Sequence, residues 1–212
     1  MININKIINN NSFYFDYRKA VFWEEESALI TADHHIGKVM HFRKNGSALP
    51  NIASSENMII FKELMDHYSP KKIIFLGDLF HSTYNNEWHE WIEFFKNCST
   101  SFILVKGNHD HDHFSIREIE NLQTYNDLKI RSFFLTHYPL NHDGYINLCG
   151  HTHPSVKLSF IGNKKVNLPC FHISENRITF PSFGRFTGSH TIQIEDNDLI
   201  LPIGQNRIFQ KF

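Results

Sequence analysis

A series of short apolar runs, each ending in a polar residue able to bind a metal ion, constrains the fold of this chain most. Runs at residues 28–32, 72–76 and 101–105 have the length and composition of buried strands. Residues at helical spacing separate them, so the pattern predicts an α/β protein. The polar residues after these and later runs are Asp33, His35, Asp78, Asn108, His109, His137, His151 and His153.

The rest of the pattern predicts alternating strands and helices, followed by a strand-rich end. Helices are expected over residues 54–68 and 115–122, and a further helix is expected to contain Trp88 to Phe95, with Asn86 as its N-cap. Residues 1–212 are expected to form a single domain. The predicted strands are a hairpin over residues 12–23, runs at 129–135 and 145–149, and a meander of 156–160, 166–173 and 177–180.

The polar residues at the strand ends predict one metal centre. In open α/β sheets, sites form beyond the carboxyl ends of the strands, so five strand ends can meet at one place. Carboxylate, amide oxygen and imidazole are ligands of Zn, Mn and Fe. In an extended segment Asp33 and His35 face one way while His34 points away. Asp78 follows Gly77 and can bridge two ions with its two oxygens.

Bulk composition narrows the class of protein. The net charge is −1, so there is no basic excess of the kind that nucleic-acid-binding proteins often carry, although one local patch would suffice. The three cysteines show no CxxC spacing. Neither a signal-peptide pattern nor an apolar run of about 18 residues is present, so we expect a cytoplasmic protein without a membrane partner.

The ordered motifs resemble the signature of the calcineurin-like metallophosphoesterases. The resemblance extends to the PdeM family of ligase-associated DNA damage response endonucleases over residues 29–38, 137–139, 150–154, 168–171 and 181–188. One departure is His34, where that family usually has an apolar residue. The motifs that carry the resemblance are Asp33-x-His35, Gly77-Asp78, Gly107-Asn108-His109-Asp110, His137 and Gly150-His151-x-His153.

The resemblance implies a two-sheet αββα sandwich and two divalent ions, with Mn²⁺ as the usual metal and Fe or Zn also suited to the ligands. It implies His109 as the acid near the leaving group, oriented by Asp110. It also implies DNA-repair partners such as a ligase or a helicase. The implied ligands are Asp33, His35, Asp78 and His153 for one ion, and Asp78, Asn108, His137 and His151 for the other.

The expected reaction is hydrolysis of phosphodiester bonds, DNA among them, because two ions can hold the phosphate and activate water. The same centre would also suit a small-molecule phosphatase or a nucleotide pyrophosphatase. A non-catalytic, protein-binding scaffold of this fold is the other alternative, and it predicts lost ligands, which this chain retains.

Several residues near the motifs have open roles. Asn108 and His109 are expected to bind the phosphate. Arg43, with Lys38 and Lys44, follows the first ligand loop, where it would contact phosphate or belong to a solvated loop. His81 follows the Asp78 loop, and residues 183–186 form either a substrate wall or a buried turn.

Overall fold

The computed structural model describes residues 3–44, 52–81, 84–110, 114–160, 164–185 and 187–210. Within these ranges the chain forms two β-sheets packed face to face, with helices on the outer side of the first sheet. The predicted α/β class and two-sheet sandwich are confirmed. None of the helices in these ranges combines the length and the apolar character needed to cross a membrane.

The first sheet contains seven strands of the described residues, and their spatial order follows the chain. The first four strands are antiparallel neighbours, and the fourth to the seventh run parallel. The strands are β1 (Ile4–Ile8), β2 (Asn11–Asp16), β3 (Ala20–Trp23), β4 (Ala28–Thr31), β5 (Lys72–Phe75), β6 (Ser101–Val105) and β7 (Leu122–Tyr125).

The second sheet contains the remaining strands of the described residues. These are β8 (Leu128–Ile130), β9 (Phe133–Leu135), β10 (Ile146–Cys149), β11 (Pro154–Phe160), β12 (Lys164–Ser174), β13 (Arg177–Thr179), β14 (His190–Thr191) and β15 (Leu199–Pro202). Their order is β14-β11-β12-β13-β10-β9-β8, with β15 paired to β12. The predicted meander is confirmed as β11, β12 and β13, which pair antiparallel.

The helices of the described residues are α1 (Lys38–Lys44), α2 (Ile52–Tyr68), α3 (Asn86–Lys96) and α4 (Phe114–Arg117). Helices α2 and α3 cover the first sheet because their apolar faces, including Phe61 and Phe95, pack on Phe75 of β5. The N-cap of α3 is Asn85 and not Asn86. The side chain of Asn85 accepts hydrogen bonds from the backbone amides of Glu87 and Trp88, which satisfies two unpaired helix donors.

The core between the sheets is rich in aromatic side chains. Phe13 and Trp23 of the first sheet pack against Phe133 of the second, with ring centroids 5.1 and 4.9 Å away. Phe15 meets Phe171 in the same way at 5.1 Å. These rings are almost completely buried, so their burial and edge-to-face packing hold the two sheets together.

Two sequence predictions for the middle of the chain were wrong. The run at residues 129–135 is an antiparallel hairpin of β8 and β9, because Arg131 takes a left-handed conformation (φ 52°) and turns the chain. The helix expected over residues 115–122 is only α4, and Leu122 begins β7. The sequence did not predict β7 because this edge strand has mostly exposed residues and lacks the alternation of apolar and polar residues that indicates a strand.

Candidate metal centre

The strand order brings the predicted ligand loops to one place. Strands β4, β5 and β6 are parallel neighbours, and so are β9 and β10, so their carboxyl ends point to the same edge of each sheet. The ligand residues follow these ends directly. They are Asp33 and His35 after β4, Asp78 after β5, Asn108 and His109 after β6, His137 after β9, and His151 and His153 after β10.

The backbone of these loops is left-handed at the ligand residues and not extended as the sequence argument assumed. The φ angles of Asp33, His35 and Asp78 are 53°, 50° and 50°, and those of His151 and His153 are 68° and 46°. Such conformations cost on the order of 1–3 kcal/mol each for non-glycine residues and concentrate at functional sites. The side chains therefore converge because the loops are bent. The alternation of side-chain direction along an extended strand, on which the sequence prediction relied, does not apply here.

The first group of candidate ligands surrounds Asp33. Its carboxylate, an imidazole nitrogen of His35 and one of His153 all lie within 4.8 Å of one another. The Nε2 atom of His153 is 3.4 Å from Oδ1 of Asp33, while Oδ2 accepts a hydrogen bond from the backbone amide of His151 at 2.9 Å. Asp33 is completely buried, and its Oδ1 has no hydrogen-bond partner among the described residues.

The second group surrounds His137. Its Nδ1 donates to the carbonyl oxygen of Leu76 at 3.0 Å, so in the neutral imidazole Nε2 carries a lone pair. That Nε2 lies 3.1 Å from Nδ1 of His151, 3.2 Å from Oδ1 of Asn108 and 3.5 Å from Oδ2 of Asp78. Four electron-pair donors thus face one another across short distances.

Asp78 lies between the two groups. Its Oδ2 is 3.5 Å from His137, 3.9 Å from Nε2 of His35 and 4.0 Å from Nε2 of His109. Its Oδ1 accepts a hydrogen bond from the backbone amide of His109 at 2.9 Å. The carboxylate therefore lies within 4.0 Å of imidazole nitrogens from both groups, where a residue that bridges two ions would have to lie.

A pair of cations fits this set of residues. Both ring nitrogens of His35 and Oδ1 of Asp33 are buried without a hydrogen-bond partner in the described part of the chain. Buried polar atoms left in this way cost about 1–3 kcal/mol each, and native structures rarely retain them without a ligand or water. Because the facing atoms are lone-pair donors of the kinds that bind Mn, Fe and Zn, divalent ions would satisfy them.

The protonation of the histidines also suits metal binding. Burial lowers the pKa of His35 to about 2, and the nearby positive charge of Lys38 adds to the effect. Burial, with the neighbouring His137, also lowers the pKa of His151. Burial opposes protonation of His153 as well, but the Asp33 carboxylate 3.4 Å from its Nε2 outweighs burial and raises its pKa. Most of these imidazoles are therefore neutral at pH 7, the form that coordinates metals.

Asp110 holds the His109 loop through backbone amides. Its Oδ1 accepts hydrogen bonds from Leu79 and Phe80, and its Oδ2 accepts one from Gly107 at 2.8 Å. Burial raises the pKa of Asp110 to about 6, although these amides oppose the rise. Asp110 would therefore orient His109, as the resemblance implies, through the backbone of this loop.

His81 belongs to this cluster although it was not among the predicted ligands. One of its ring nitrogens lies within 4.8 Å of ligand atoms of His35 and His109, and its ring centroid is 4.6 Å from that of His109. Burial lowers its pKa to about 4, and His109 contributes further. Its place three residues after Asp78 was the available sequence signal, but no motif marked it as a ligand.

The structure describes two of the remaining residues whose roles the sequence left open, Lys38 and Phe183. Lys38 is partly buried, which lowers its pKa, while Asp78 and Asp33 oppose that shift because they lie near it. Phe183 is buried and stacks on His34 with ring centroids 4.2 Å apart, so this part of the segment is a buried turn. The side chains of Arg43 and Lys44 and the whole of Phe186 lie outside the described parts of the chain.

The chain is similar to several proteins of known structure. Among solved structures, the nuclease MPE of Pseudomonas putida has a TM-score of 0.82 and 24% identity, covering 98% of this chain and 100% of that chain. The E. coli phosphoesterase YfcE has a TM-score of 0.46 and 16% identity, covering 85% of this chain and 95% of that chain. None of the curated proteins compared matches the chain.

A family model described as calcineurin-like phosphoesterase matches residues 27–200, a range that includes every candidate ligand named above. The family's members are metal-dependent hydrolases of phosphoester bonds, which agrees with a buried cluster of carboxylates and neutral imidazoles at strand ends. The chain belongs to the calcineurin-like phosphoesterase family.

Proposed function

We propose that this hydrolase cleaves phosphodiester bonds of nucleic acid, DNA in particular, at a centre of two divalent ions. The observation that carries the proposal is the convergence of lone-pair donors on the Nε2 atom of His137 and the carboxylate of Asp78. Two bound ions would stabilise charge on the phosphoryl oxygens and activate the attacking water.

The two groups of residues assign the ligands. One ion would be held by Asp33, His35, Asp78 and His153, whose ligand atoms cluster around the two carboxylates. The other would be held by Asp78, Asn108, His137 and His151, which surround Nε2 of His137. We propose Mn²⁺ as the metal, since mixed carboxylate, amide and imidazole sites accept it, and Fe or Zn suits the same ligands.

His109 is the proposed general acid. Its side chain is 39% exposed, and its Nε2 is 4.0 Å from Oδ2 of Asp78, so the imidazole borders the centre and remains open to a substrate. Its backbone is fixed by Asp78 and by the Asp110 loop. A histidine in this position can donate a proton to the leaving alkoxide near neutral pH, an effect typically worth about 10²–10⁴-fold.

The nucleic-acid part of the proposal is supported by the shared fold of the Pseudomonas putida protein, which is a nuclease. The sequence motifs favour the same substrate and a role in DNA repair, with a ligase or a helicase as partner. Phosphate binding by Asn108 and Arg43 belongs to this proposal, as does a cytoplasmic location, which the three free cysteines suit. A phosphatase of small molecules would instead prefer monoesters.

The test compares His109→Ala with the unmodified protein on single-stranded DNA and on bis-p-nitrophenyl phosphate in Mn²⁺. DNA cleavage should fall at least about 100-fold, because its alkoxide leaving group needs a proton. The p-nitrophenolate of the small diester needs little help, so its hydrolysis should change far less. Metal content, measured by elemental analysis, should stay the same.

An Asp78→Asn variant serves as the control, because it should lose metal and hydrolysis of both substrates together. Unchanged DNA cleavage by His109→Ala would reject its role as the acid. A wild-type protein that hydrolyses p-nitrophenyl phosphate but neither DNA nor the diester would favour the small-molecule phosphatase instead.

A further inference from the structure

A groove of about 470 Å³ opens beside the proposed metal centre. Two of its lining residues, Asn108 and His137, also belong to the centre, and the others come from the ends of β6, β7 and β9. The groove therefore lies next to the centre, and a group attached to a phosphate bound there would lie beside it.

Tyr138 and Leu140 present apolar surface to this groove. These two residues are 49% and 46% exposed, so both have apolar surface available to a ligand in the groove. The ring of Tyr138 has its centroid 4.4 Å from that of His151 and 4.9 Å from that of His137. One side of the tyrosine thus rests on two candidate ligands, and its exposed surface lines the groove.

The loop that carries these residues is held in place by hydrogen bonds. Thr136 donates its hydroxyl to the carbonyl of Tyr138 at 2.6 Å, and Leu140 donates its amide to Oδ1 of Asn147 at 2.9 Å. The amide group of Asn147 in turn donates to Phe134 and Thr136 and is buried. Because the loop is already ordered, a ligand that stacks on Tyr138 does not have to order it first.

The charge of the groove argues against a second phosphate at this position. Lys106 and Asp127 line it with opposite charges, so it has no net charge from these groups, and Asn126 adds an amide at the rim. Phe134, Tyr138 and Leu140 supply the apolar wall. A flat, uncharged ring with polar groups on its edge matches this combination, and a nucleobase has that chemistry.

We propose that Tyr138 and Leu140 form a nucleobase subsite, in which the base of a nucleotide next to the cleaved phosphate stacks on Tyr138. This inference rests on the proposed action on nucleic acid, and it specifies where one base of the substrate would bind. Tyr138 is a binding residue here and takes no part in the chemistry, so its loss should act on KM and leave kcat nearly unchanged.

The test uses two single-stranded substrates with the same phosphodiester backbone, an oligothymidylate and an oligomer of the same length built from abasic tetrahydrofuran residues. In the wild-type protein, KM for the oligothymidylate should be lower. Tyr138→Ala should raise that KM by about 5- to 100-fold, the range expected for loss of one base–aromatic stack, and should leave the abasic oligomer within about 2-fold. Tyr138→Phe keeps the ring and should behave like the wild type.

Tyr14→Ala is the matched control, because Tyr14 lies on β2 and does not line the groove. Its hydroxyl donates a hydrogen bond to Glu24. Its kinetics on both oligomers should match the wild type. Equal losses on both oligomers in Tyr138→Ala, or a fall in its metal content, would overturn the subsite and indicate that Tyr138 only supports His151. Unchanged kinetics would overturn it too. Failure of the wild type to cleave either oligomer would instead reject the proposed function on which the subsite rests.

Discussion

At the scale of single residues, consecutive side chains in the first ligand loop face different sides of the first sheet. Asp33 and His35 face the proposed centre, whereas His34 points into the helical side of the first sheet. There its Nε2 is hydrogen-bonded to the hydroxyl of Thr31 at 2.8 Å, and its ring stacks on Phe183. Burial lowers the pKa of His34 to about 3, so it is neutral at pH 7 and acts as a packed aromatic ring.

This environment predicts a pH dependence of stability. The pKa of His34 in the folded chain lies below its ordinary value of 6.5, so the unfolded chain takes up the proton first as the pH falls. The favourable contribution is complete above about pH 6.5 and is lost towards about pH 3. At about pH 4.5 the metal-free wild type should therefore have lost about 2 kcal/mol more than His34→Leu, relative to pH 7.

Urea unfolding of both proteins in the presence of a chelator measures this difference. Other histidines with lowered pKa values, such as His35 and His81, are the same in both proteins, so their contributions cancel. If the free energy of unfolding changed with pH by the same amount in both proteins, His34 would not titrate in this way. The leucine variant should still bind two metals, because the side chain faces away from the centre.

At the scale of elements, the ligand loops support one another through their backbones. The amide of Asp33 donates to the carbonyl of Gly77 at 3.1 Å, and the amide of His35 donates to that of Asp78 at 2.9 Å. These bonds offset the cost of the left-handed conformations of the ligand residues. Gly107 allows a third loop to approach closely, because a Cβ atom there would overlap the carboxylate of Asp78.

Gly107→Ala should therefore weaken metal binding more than it weakens the fold. We expect at least about a tenfold loss of affinity for Mn²⁺, measured by titration calorimetry, since the bridging carboxylate must move. Gly144→Ala is the control, because its φ of 79° disfavours a side chain through the backbone alone, and no atom lies within 4 Å of its Cβ position. That control should lose about 1 kcal/mol of stability and retain its metal affinity. Equal metal affinity in both variants would contradict the proposed crowding.

At the scale of the whole molecule, the interface between the two sheets decides whether the site exists. Ligands come from both sheets, so the sheets must be held in register for the two groups to meet. The aromatic core that includes Phe15, Phe133 and Phe171 provides this register. Loss of a large ring there leaves a cavity that affects both halves of the centre.

Phe171→Ala should destabilise the chain by about 3–5 kcal/mol, because it removes a completely buried ring. If residues 1–212 form one domain, as the sequence predicts, unfolding should remain a single transition. Far-ultraviolet circular dichroism and tryptophan fluorescence measure it. The two signals should give the same unfolding midpoint, since the fluorescence reports on both Trp23 between the sheets and Trp91 in the helical layer. Two separate transitions would contradict the single domain.

The sequence by itself determined most of the elements that carry the candidate ligands, and the chemistry of those ligands. Apolar runs ending in Asp33, Asp78 and His137 are local patterns, and strand formation and metal-binding groups depend mostly on residue type and spacing. The parallel order of β4, β5 and β6 then follows from the alternation of strands and helices. For this reason the sequence could predict candidate ligand positions, while the family followed from the resemblance of the ordered motifs.

Only the tertiary structure decided how these residues meet. The left-handed turns at the ligands, the approach of His81 to His109 and the backbone bonds of Asp110 depend on contacts between loops far apart in sequence. The exposed ring of Tyr138 depends on the packing of β9 beside β10. Local sequence carries no record of such distances, because side-chain direction and burial are set when the two sheets pack together.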